Sequence, residues 1–287
     1  MKKYYSYSIG VAWFILSLLT SALNDALTKA LVSNMHSLQL SFLRSVFGVI
    51  SLVPIVLHYG VHTLKTSNFF VHAIRGVILF FGISAWIYGL KFVQVSTATV
   101  ISFTIPIFTL ILGSLILKEN ITWQRCVATV LGFVGIVVTM SPHFNKITSH
   151  ALIFILSSLG FALLDVINKI FVTKESMISM LFYSSITMSF LSMPFAYHYW
   201  ISITHYDVAL CILLGIGSNL ILWFILKAFS HIDATATAPY RYLELLISSA
   251  IGYLLFNEIP NSTTVYGAMI IVPCTMFIMY FEKHKQT

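Results

Sequence analysis

Charged side chains are scarce in this chain. Asp, Glu, Lys and Arg make up 9% of its residues, whereas hydrophobic residues make up 58%. Soluble globular domains carry about 25% charged residues, so this composition argues against a water-soluble fold. The mean hydropathy is +0.91, and long apolar stretches follow one another with only brief polar breaks. Because a helix needs about 20 apolar residues to cross a bilayer core, we expect most of the chain to lie in lipid.

The residue patterns of several function classes are also absent from the sequence. Cys126, Cys211 and Cys274 stand alone in apolar stretches, and the ten histidines lack ligand spacing, so neither disulfides nor a metal site is expected. There is no HExxH, Ser/His/Asp arrangement or Walker motif, which predicts a protein that is not an enzyme, takes no cofactor and does not use ATP directly. The net charge of +7 includes no basic block with interleaved aromatics, so nucleic acid is not an expected partner.

The apolar stretches predict an all-α integral membrane protein with ten transmembrane helices. The first five are expected at residues 9–32, 38–57, 73–92, 95–117 and 123–140, and the second five at residues 151–171, 177–197, 208–229, 234–257 and 264–281. The loops between them are short, which leaves no room for a separate aqueous domain.

An internal repeat divides the chain into two halves. Residues 14–32 align without gaps onto residues 154–172, and ten of the nineteen pairs are identical. We therefore expect five-helix repeats at residues 9–140 and 151–281. Because five is odd, the two halves cross the membrane in opposite senses. Inverted repeats are typical of transporters that open a midplane site to each side in turn, although duplication can also arise without that mechanism.

The distribution of cations predicts which side of the membrane the termini occupy. If the N-terminus is cytoplasmic, eleven Lys and Arg residues fall on the cytoplasmic side and three on the opposite side. The eleven are Lys2, Lys3, Lys65, Arg75, Lys118, Arg125, Lys169, Lys174, Lys227, Lys283 and Lys285, and the three are Lys29, Lys91 and Lys146. This asymmetry predicts a multi-pass protein with both termini in the cytoplasm.

A small set of charges is expected inside the membrane, where charges are costly and usually face an internal cavity. The set comprises Asp25, Lys29, Arg44, Asp165, Lys169, Arg241 and Glu244. Each Asp lies four residues before a Lys, so each couple could pair on one helix face while the lysine reaches the interface. For the two aspartates, pairing and substrate contact are both open. Arg44 could likewise pair with either aspartate or contact a substrate.

The segment DATATAPYRYLELL, residues 233–246, carries the sharpest local signal. Arg241 and Glu244 lie three residues apart, with Tyr240 beside them. One interpretation is a buried ion pair. The other, which we favour, is recognition of a zwitterionic ligand that carries an aromatic base, because Arg binds carboxylates, an acid binds cations and rings stack. Trp86 of the third helix is a further aromatic candidate, although rings in membrane helices more often face lipid.

Several segments resemble a known family. The repeat endings Leu-Lys-Glu-Asn at 117–120 and Phe-Asn-Glu-Ile at 256–259 resemble EamA-type repeats of the drug/metabolite transporter superfamily, and the resemblance covers essentially the whole chain. At finer detail, NDALTKAL, KESMISMLFYS and DATATAPYRYLELLIS resemble the S-adenosylmethionine uptake transporters of obligate intracellular bacteria. One departure is Leu245, which stands where the first repeat has Pro106. It leaves the bend of the ninth helix open, although Pro239 could supply a kink.

The resemblance implies uptake of S-adenosylmethionine across the bacterial inner membrane, with exchange for S-adenosylhomocysteine as one form. Arg241 or Arg44 would then hold the carboxylate of the substrate, and Glu244 with Asp25 or Asp165 would face its cations. Tyr240 and Trp86 would offer ring faces to the adenine or the sulfonium. Membrane lipid is the other expected partner, and the oligomeric state stays open.

Two alternatives remain at this stage. An exporter of amino acids, drugs or other metabolites could use the same scaffold, because a fold determines neither substrate nor direction. More distantly, a membrane protein without transport activity could use such helices for assembly.

Overall fold

The computed structural model describes residues 2–89, 101–140, 151–256 and 262–285. All regular secondary structure in these ranges is helical, which confirms the predicted all-α class. Within the described residues, seven helices are long and apolar enough to cross a membrane: Ser6–Val32, Ser37–Tyr59, Phe69–Gly89, Leu152–Phe171, Met177–His198, His205–His231 and Val265–Glu282. Two shorter apolar helices cover Ile105–Leu117 and Trp123–Val138.

The helices are labelled in chain order. They are α1 (Lys2–Val32), α2 (Ser37–Tyr59), α3 (Phe69–Gly89), α4 (Ile105–Leu112), α5 (Trp123–Met140), α6 (Ala151–Phe171), α7 (Met177–His198), α8 (His205–His231), α9 (Ala234–Thr237), α10 (Leu243–Phe256) and α11 (Ser262–Lys285). A π-helical turn, Gly113–Leu117, extends α4. The bounds of α5 and α6 equal the predicted ones. The predicted end of the third helix, start of the fourth and end of the ninth lie outside the described residues.

The ninth predicted helix is interrupted rather than continuous. A 3₁₀ turn, Ala238–Tyr242, separates α9 from α10, and Pro239 lies in its first turn. Proline has no backbone N–H and its ring crowds the preceding turn, so the helix tightens and bends at this point. Pro239 thus supplies the break in the ninth helix that Leu245 does not. Tyr240 and Arg241, both predicted to contact a substrate, lie within the 3₁₀ turn.

Helices of the first half pack mainly on helices of the second half. α1 packs along α8, α3 packs along α6, α2 packs along α7, and α5 packs along α11. In the two repeats α1 corresponds to α6, α2 to α7, α3 to α8 and α5 to α11. If each helix is replaced by its equivalent, the α1/α8 pair becomes the α6/α3 pair, and the α2/α7 and α5/α11 pairs stay the same. One core cluster, for example, joins Phe14 of α1 to Ala228 of α8 and Ile278 of α11. The two repeats therefore interlock and share their apolar cores.

The helices α2 and α8 approach each other closely at a glycine. A Cβ atom on Gly215 would lie 2.6 Å from the backbone N of Gly48 and 2.7 Å from the carbonyl carbon of Phe47. Small residues at such crossings let membrane helices come into backbone contact. Because the neighbouring atoms belong to the backbone, a larger residue would force the helices apart.

The variant Gly215→Ala is therefore expected to lower the melting temperature of the detergent-solubilised protein, since overpacking costs about 1–3 kcal/mol. Gly160→Ala is the matched control. A Cβ there would lie 3.7 Å from the Cγ2 of Ile78, an ordinary contact, and alanine is the better helix former. Equal melting temperatures for the two variants would contradict the close crossing.

Candidate functional site

Five of the charged residues that were predicted to lie inside the membrane form a continuous series of electrostatic interactions across the protein interior. Arg44 of α2 interacts electrostatically with Asp25 of α1. Asp25 also interacts with Glu244 of α10, and Glu244 interacts with Arg241 of the 3₁₀ turn. Arg241 Nη2 in turn donates a hydrogen bond to Asp165 Oδ2 of α6. We call these five residues the charge network. It joins the two repeats, because α1 and α2 belong to the first and α6 and α10 to the second.

The chain positions of these residues explain why they meet. Asp25 and Asp165 occupy equivalent places in α1 and α6 under the 140-residue offset, and α10 packs against α1. The break at Pro239 places Arg241 and Glu244 at the join between the 3₁₀ turn and α10. Arg241 therefore reaches Asp165 of α6 and forms its ion pair there, whereas the sequence spacing suggested Glu244 as the partner.

Two hydrogen-bond donors of the charge network are unsatisfied among the described residues. The Nε atoms of Arg44 and Arg241 are buried and have no hydrogen-bond partner among the described residues. The guanidinium of Arg241 lies over the ring of Phe14, 5.4 Å from its centroid, and the Ser21 hydroxyl is hydrogen-bonded to the Glu244 carboxylate. Buried donors normally find an acceptor. Two unmet guanidinium donors are therefore suited to a ligand that brings a carboxylate.

The lysine of the second predicted couple has a different role from the expected pairing. Lys169 Nζ donates hydrogen bonds to the carbonyl oxygens of Phe229, at 2.8 Å, and Ile232, at 2.6 Å. These carbonyls lie at the C-terminal end of α8, where cations are favourable. Of the interpretations left open for this couple, pairing of Asp165 with Lys169 is not what the structure shows, because Asp165 binds Arg241 from another helix segment.

The two aromatic candidates lie against other aromatic residues. Tyr240 is 2% exposed, and its hydroxyl is 3.2 Å from the hydroxyl of Tyr7. It packs in the cluster that contains Phe14, whose ring also faces Arg241. Trp86 meets the ring of Phe154 edge-on, with centroids 5.1 Å apart. The structure places neither ring against the carboxylates of the charge network, and a substrate role for both stays a prediction.

A second polar cluster forms around Arg125, which was counted from the sequence only among the cytoplasmic cations. Arg125 Nε donates to Glu282 Oε1 at 2.8 Å, Nη1 to Thr235 Oγ1 at 2.8 Å, and Nη2 to Asp233 Oδ2 at 3.1 Å. Thr235 Oγ1 also donates to Glu119 Oε2 at 2.6 Å. We call these five residues the Arg125 network. The sequence feature that could have indicated this network is Glu119, which lies in the repeat ending. Its carboxylate accepts hydrogen bonds from the two backbone N–H groups at the start of α9.

Arg75 is a further buried cation that charge counting assigned to the membrane surface. It is 0% exposed, and it donates to Asn168 Oδ1 at 2.9 Å and to the carbonyl of Met180 at 2.8 Å. Its position six residues inside α3 was the signal, because a purely topogenic cation has no need to lie so deep. The contact ties α3 to α6 and α7.

The loop between α6 and α7 is anchored near Arg75. Asn68 Nδ2 donates to Glu175 Oε1 at 2.6 Å, and His72 Nε2 lies 3.5 Å from Glu175 Oε2. Burial alone would raise the pKa of the Glu175 carboxyl, but hydrogen bonds from Asn68 and Thr66 lower it below the ordinary value. Glu175 is therefore held as a carboxylate that fastens the α2–α3 and α6–α7 connections together.

The described residues include no group of three or more His, Cys, Asp or Glu side chains placed to hold a metal ion. The chemistry of the interior is thus that of paired charges between two interlocked repeats. A profile of the EamA-like transporter family matches the chain twice, at residues 8–141 and 148–280. The chain belongs to the EamA-like transporter family.

The relatives of this EamA-like transporter span nearly its full length. It is 54% identical over 278 residues to the S-adenosylmethionine uptake transporter of Rickettsia bellii. The alignment covers 97% of this chain and 96% of the relative. The S-adenosylmethionine uptake transporter of Rickettsia prowazekii is 53% identical over 282 residues, 98% of this chain and 96% of the relative. These likenesses confirm the resemblance found in the sequence.

More distant relatives carry other cargo. The riboflavin transporter of Brucella anthropi is 27% identical over 253 residues, 85% of this chain and 88% of the relative. A crystal structure of another protein superposes on this EamA-like transporter with a TM-score of 0.78 over 98% of both chains, at 15% identity. That likeness supports the fold alone.

Proposed function

We propose that this EamA-like transporter takes up S-adenosylmethionine across the bacterial inner membrane. The likeness above 50% identity over almost the whole chain to the Rickettsia transporters of that substrate carries the proposal. The charge network supports it. The substrate has a carboxylate, an α-amino group, a sulfonium and an adenine, and the network offers both guanidinium donors and carboxylates at one place.

Within this proposal, the substrate site is built on the charge network with the two aromatic candidates at its edges. The unmet Nε atoms of Arg44 and Arg241 are the donors for the carboxylate of the substrate. The carboxylates of Asp25, Asp165 and Glu244 face its cationic groups. Tyr240 and Trp86 supply ring faces for the adenine, which requires the rings to approach the network when substrate is bound.

We further infer ten spans arranged as inverted repeats at residues 9–140 and 151–281. The exchange symmetry of the helix pairs supports this arrangement, since alternating access needs two halves that can swap conformations around a shared site. With both termini cytoplasmic, the Arg125 network, the Lys169 contacts and the Glu175 anchor all lie on the cytoplasmic side. The Arg125 network then acts as a cytoplasmic gate that must open to release substrate.

Uptake of labelled S-adenosylmethionine into bacterial cells that express the chain tests the proposed function. We expect saturable uptake above that of vector cells, reduced by unlabelled S-adenosylmethionine in excess but not by methionine or adenosine, which lack the sulfonium and one or more recognition groups. Counterflow with S-adenosylhomocysteine inside tests exchange. Uptake no higher than in vector cells would refute the proposal, and efflux of preloaded amino acids would then favour an exporter.

A further inference from the structure

Positive and negative charges do not alternate along the charge network. From α2 to α6 the signs run plus, minus, minus, plus, minus. Ser21, which is hydrogen-bonded to the Glu244 carboxylate, lies one turn of α1 before Asp25, so Glu244 is close enough to Asp25 for their charges to interact. Arg44 interacts with Asp25, and Arg241 is paired with Asp165. Three carboxylates thus share two guanidinium groups. An excess of buried negative charge is costly in a membrane interior, so this arrangement of three carboxylates and two guanidinium groups favours the arrival of one positive charge.

A second observation points to a ligand at the same place. Arg44, next to Asp25, keeps a buried Nε that has no hydrogen-bond partner among the described residues. A simple counter-ion would leave that donor unmet. A ligand that brings a carboxylate for Arg44 and a net positive charge for the two carboxylates satisfies both. The site is therefore matched to an amino acid that carries one additional cation.

We propose that Asp25 and Glu244 form a cation subsite that selects the sulfonium form of the substrate over the uncharged thioether. The proposal rests on the proposed function and adds its selectivity. In S-adenosylmethionine the amino acid group is neutral overall, and the sulfonium adds the one positive charge that the network lacks. S-adenosylhomocysteine keeps the carboxylate, the amino group and the adenine but has no charge at sulfur. Selectivity then comes from electrostatic complementarity rather than from shape.

The variant Glu244→Gln tests this subsite because glutamine keeps the volume of the side chain and can still accept a hydrogen bond from Ser21. Binding of each ligand to the purified protein is measured by the shift in melting temperature as ligand is titrated. We expect the wild type to bind S-adenosylmethionine at least about tenfold more tightly than S-adenosylhomocysteine. This ratio corresponds to a difference in binding free energy of about 1.4 kcal/mol. In the Glu244→Gln variant we expect a lower affinity for S-adenosylmethionine and an unchanged affinity for S-adenosylhomocysteine. The ratio of the two affinities then approaches one.

Asp207→Asn is the matched control for loss of a carboxylate. Asp207 belongs to the capping box at the start of α8 and accepts a hydrogen bond from Asn34, away from the charge network. Its substitution is expected to leave the ratio of the two affinities unchanged, even if it lowers the melting temperature. Glu244→Asp, which retains the charge, is expected to keep a preference for the sulfonium.

The outcomes separate the subsite from the proposed function. A wild type without preference, or a Glu244→Gln variant that keeps it, would overturn the subsite while uptake of S-adenosylmethionine still stands. Should Glu244→Gln fail to fold, Asp25→Asn is measured in its place with the same expectation. A wild type that neither binds nor takes up S-adenosylmethionine would overturn the proposed function itself.

Discussion

Uptake of S-adenosylmethionine is expected to be lost when Arg241 is replaced by alanine. The substitution removes a buried, unmet donor, which we propose binds the carboxylate of the substrate, and it leaves Asp165 buried without its cation. Truncation of one member of a buried, hydrogen-bonded charge pair costs roughly 2–5 kcal/mol, which is about thirty-fold or more in affinity. The initial rate of labelled uptake, divided by the amount of protein in the membrane, measures the effect.

A structural role of Arg241 can be separated from a binding role. The double variant Arg241→Gln with Asp165→Asn removes both charges of this ion pair, so neither partner is left buried without the other. We expect this variant to reach the membrane with near wild-type stability and yet to lack uptake. Recovery of uptake in the double variant would show that Arg241 serves only to neutralise Asp165. Lys174→Ala, at an exposed cation, is the matched control and is expected to transport normally.

The Arg125 network carries the second large expected effect. Replacement of Arg125 by alanine leaves Glu282, which is 2% exposed, without its guanidinium partner. Loss of one member of a buried pair costs roughly 3–5 kcal/mol. We therefore expect a marked fall in the melting temperature of the detergent-solubilised protein and a loss of uptake, because helices α5, α9 and α11 no longer meet at one hub.

A double-mutant cycle checks that the effect arises from the ion pair. Glu282→Gln alone, and together with Arg125→Ala, completes the cycle. We expect the double variant to be more stable than Arg125→Ala, since its glutamine carries no stranded charge. Additive losses would mean that the two residues are not coupled. Arg125→Lys keeps the charge but cannot reach Glu282, Thr235 and Asp233 together, so an intermediate stability is expected.

The sequence predicted the helices well where the signal is local. Hydropathy and length depend only on residues within one segment, so the bounds of α5 and α6 agree with those expected from apolar stretches. Likewise the repeat could be found by alignment of the chain on itself, and the five charges of the charge network were each identified because charges are rare in apolar helices. The break at Pro239 was open in the sequence, since a proline can either kink a membrane helix or interrupt it.

The sequence was less informative about partners. Pairs three or four residues apart were the only ones that spacing could suggest, and Asp165 instead meets Arg241, 76 residues away. Arg125 and Glu282 are 157 residues apart. Neither separation has a signature in one sequence, because the contacts depend on how whole helices pack. For the same reason Arg75 and Arg125 were taken as surface cations, although the meeting of several helix ends buries them.

By itself, the sequence determined the class of the protein, most of the helix bounds, the duplication and the candidate charges, because each follows from the properties of one segment or from comparison of two. Only the tertiary structure decided which charges share a partner. Interlocking of the two repeats brings Glu244 within electrostatic range of Asp25 and assigns Arg241 to Asp165. Electrostatic energy depends on distances between helices, and those distances come into being only when the two halves pack together.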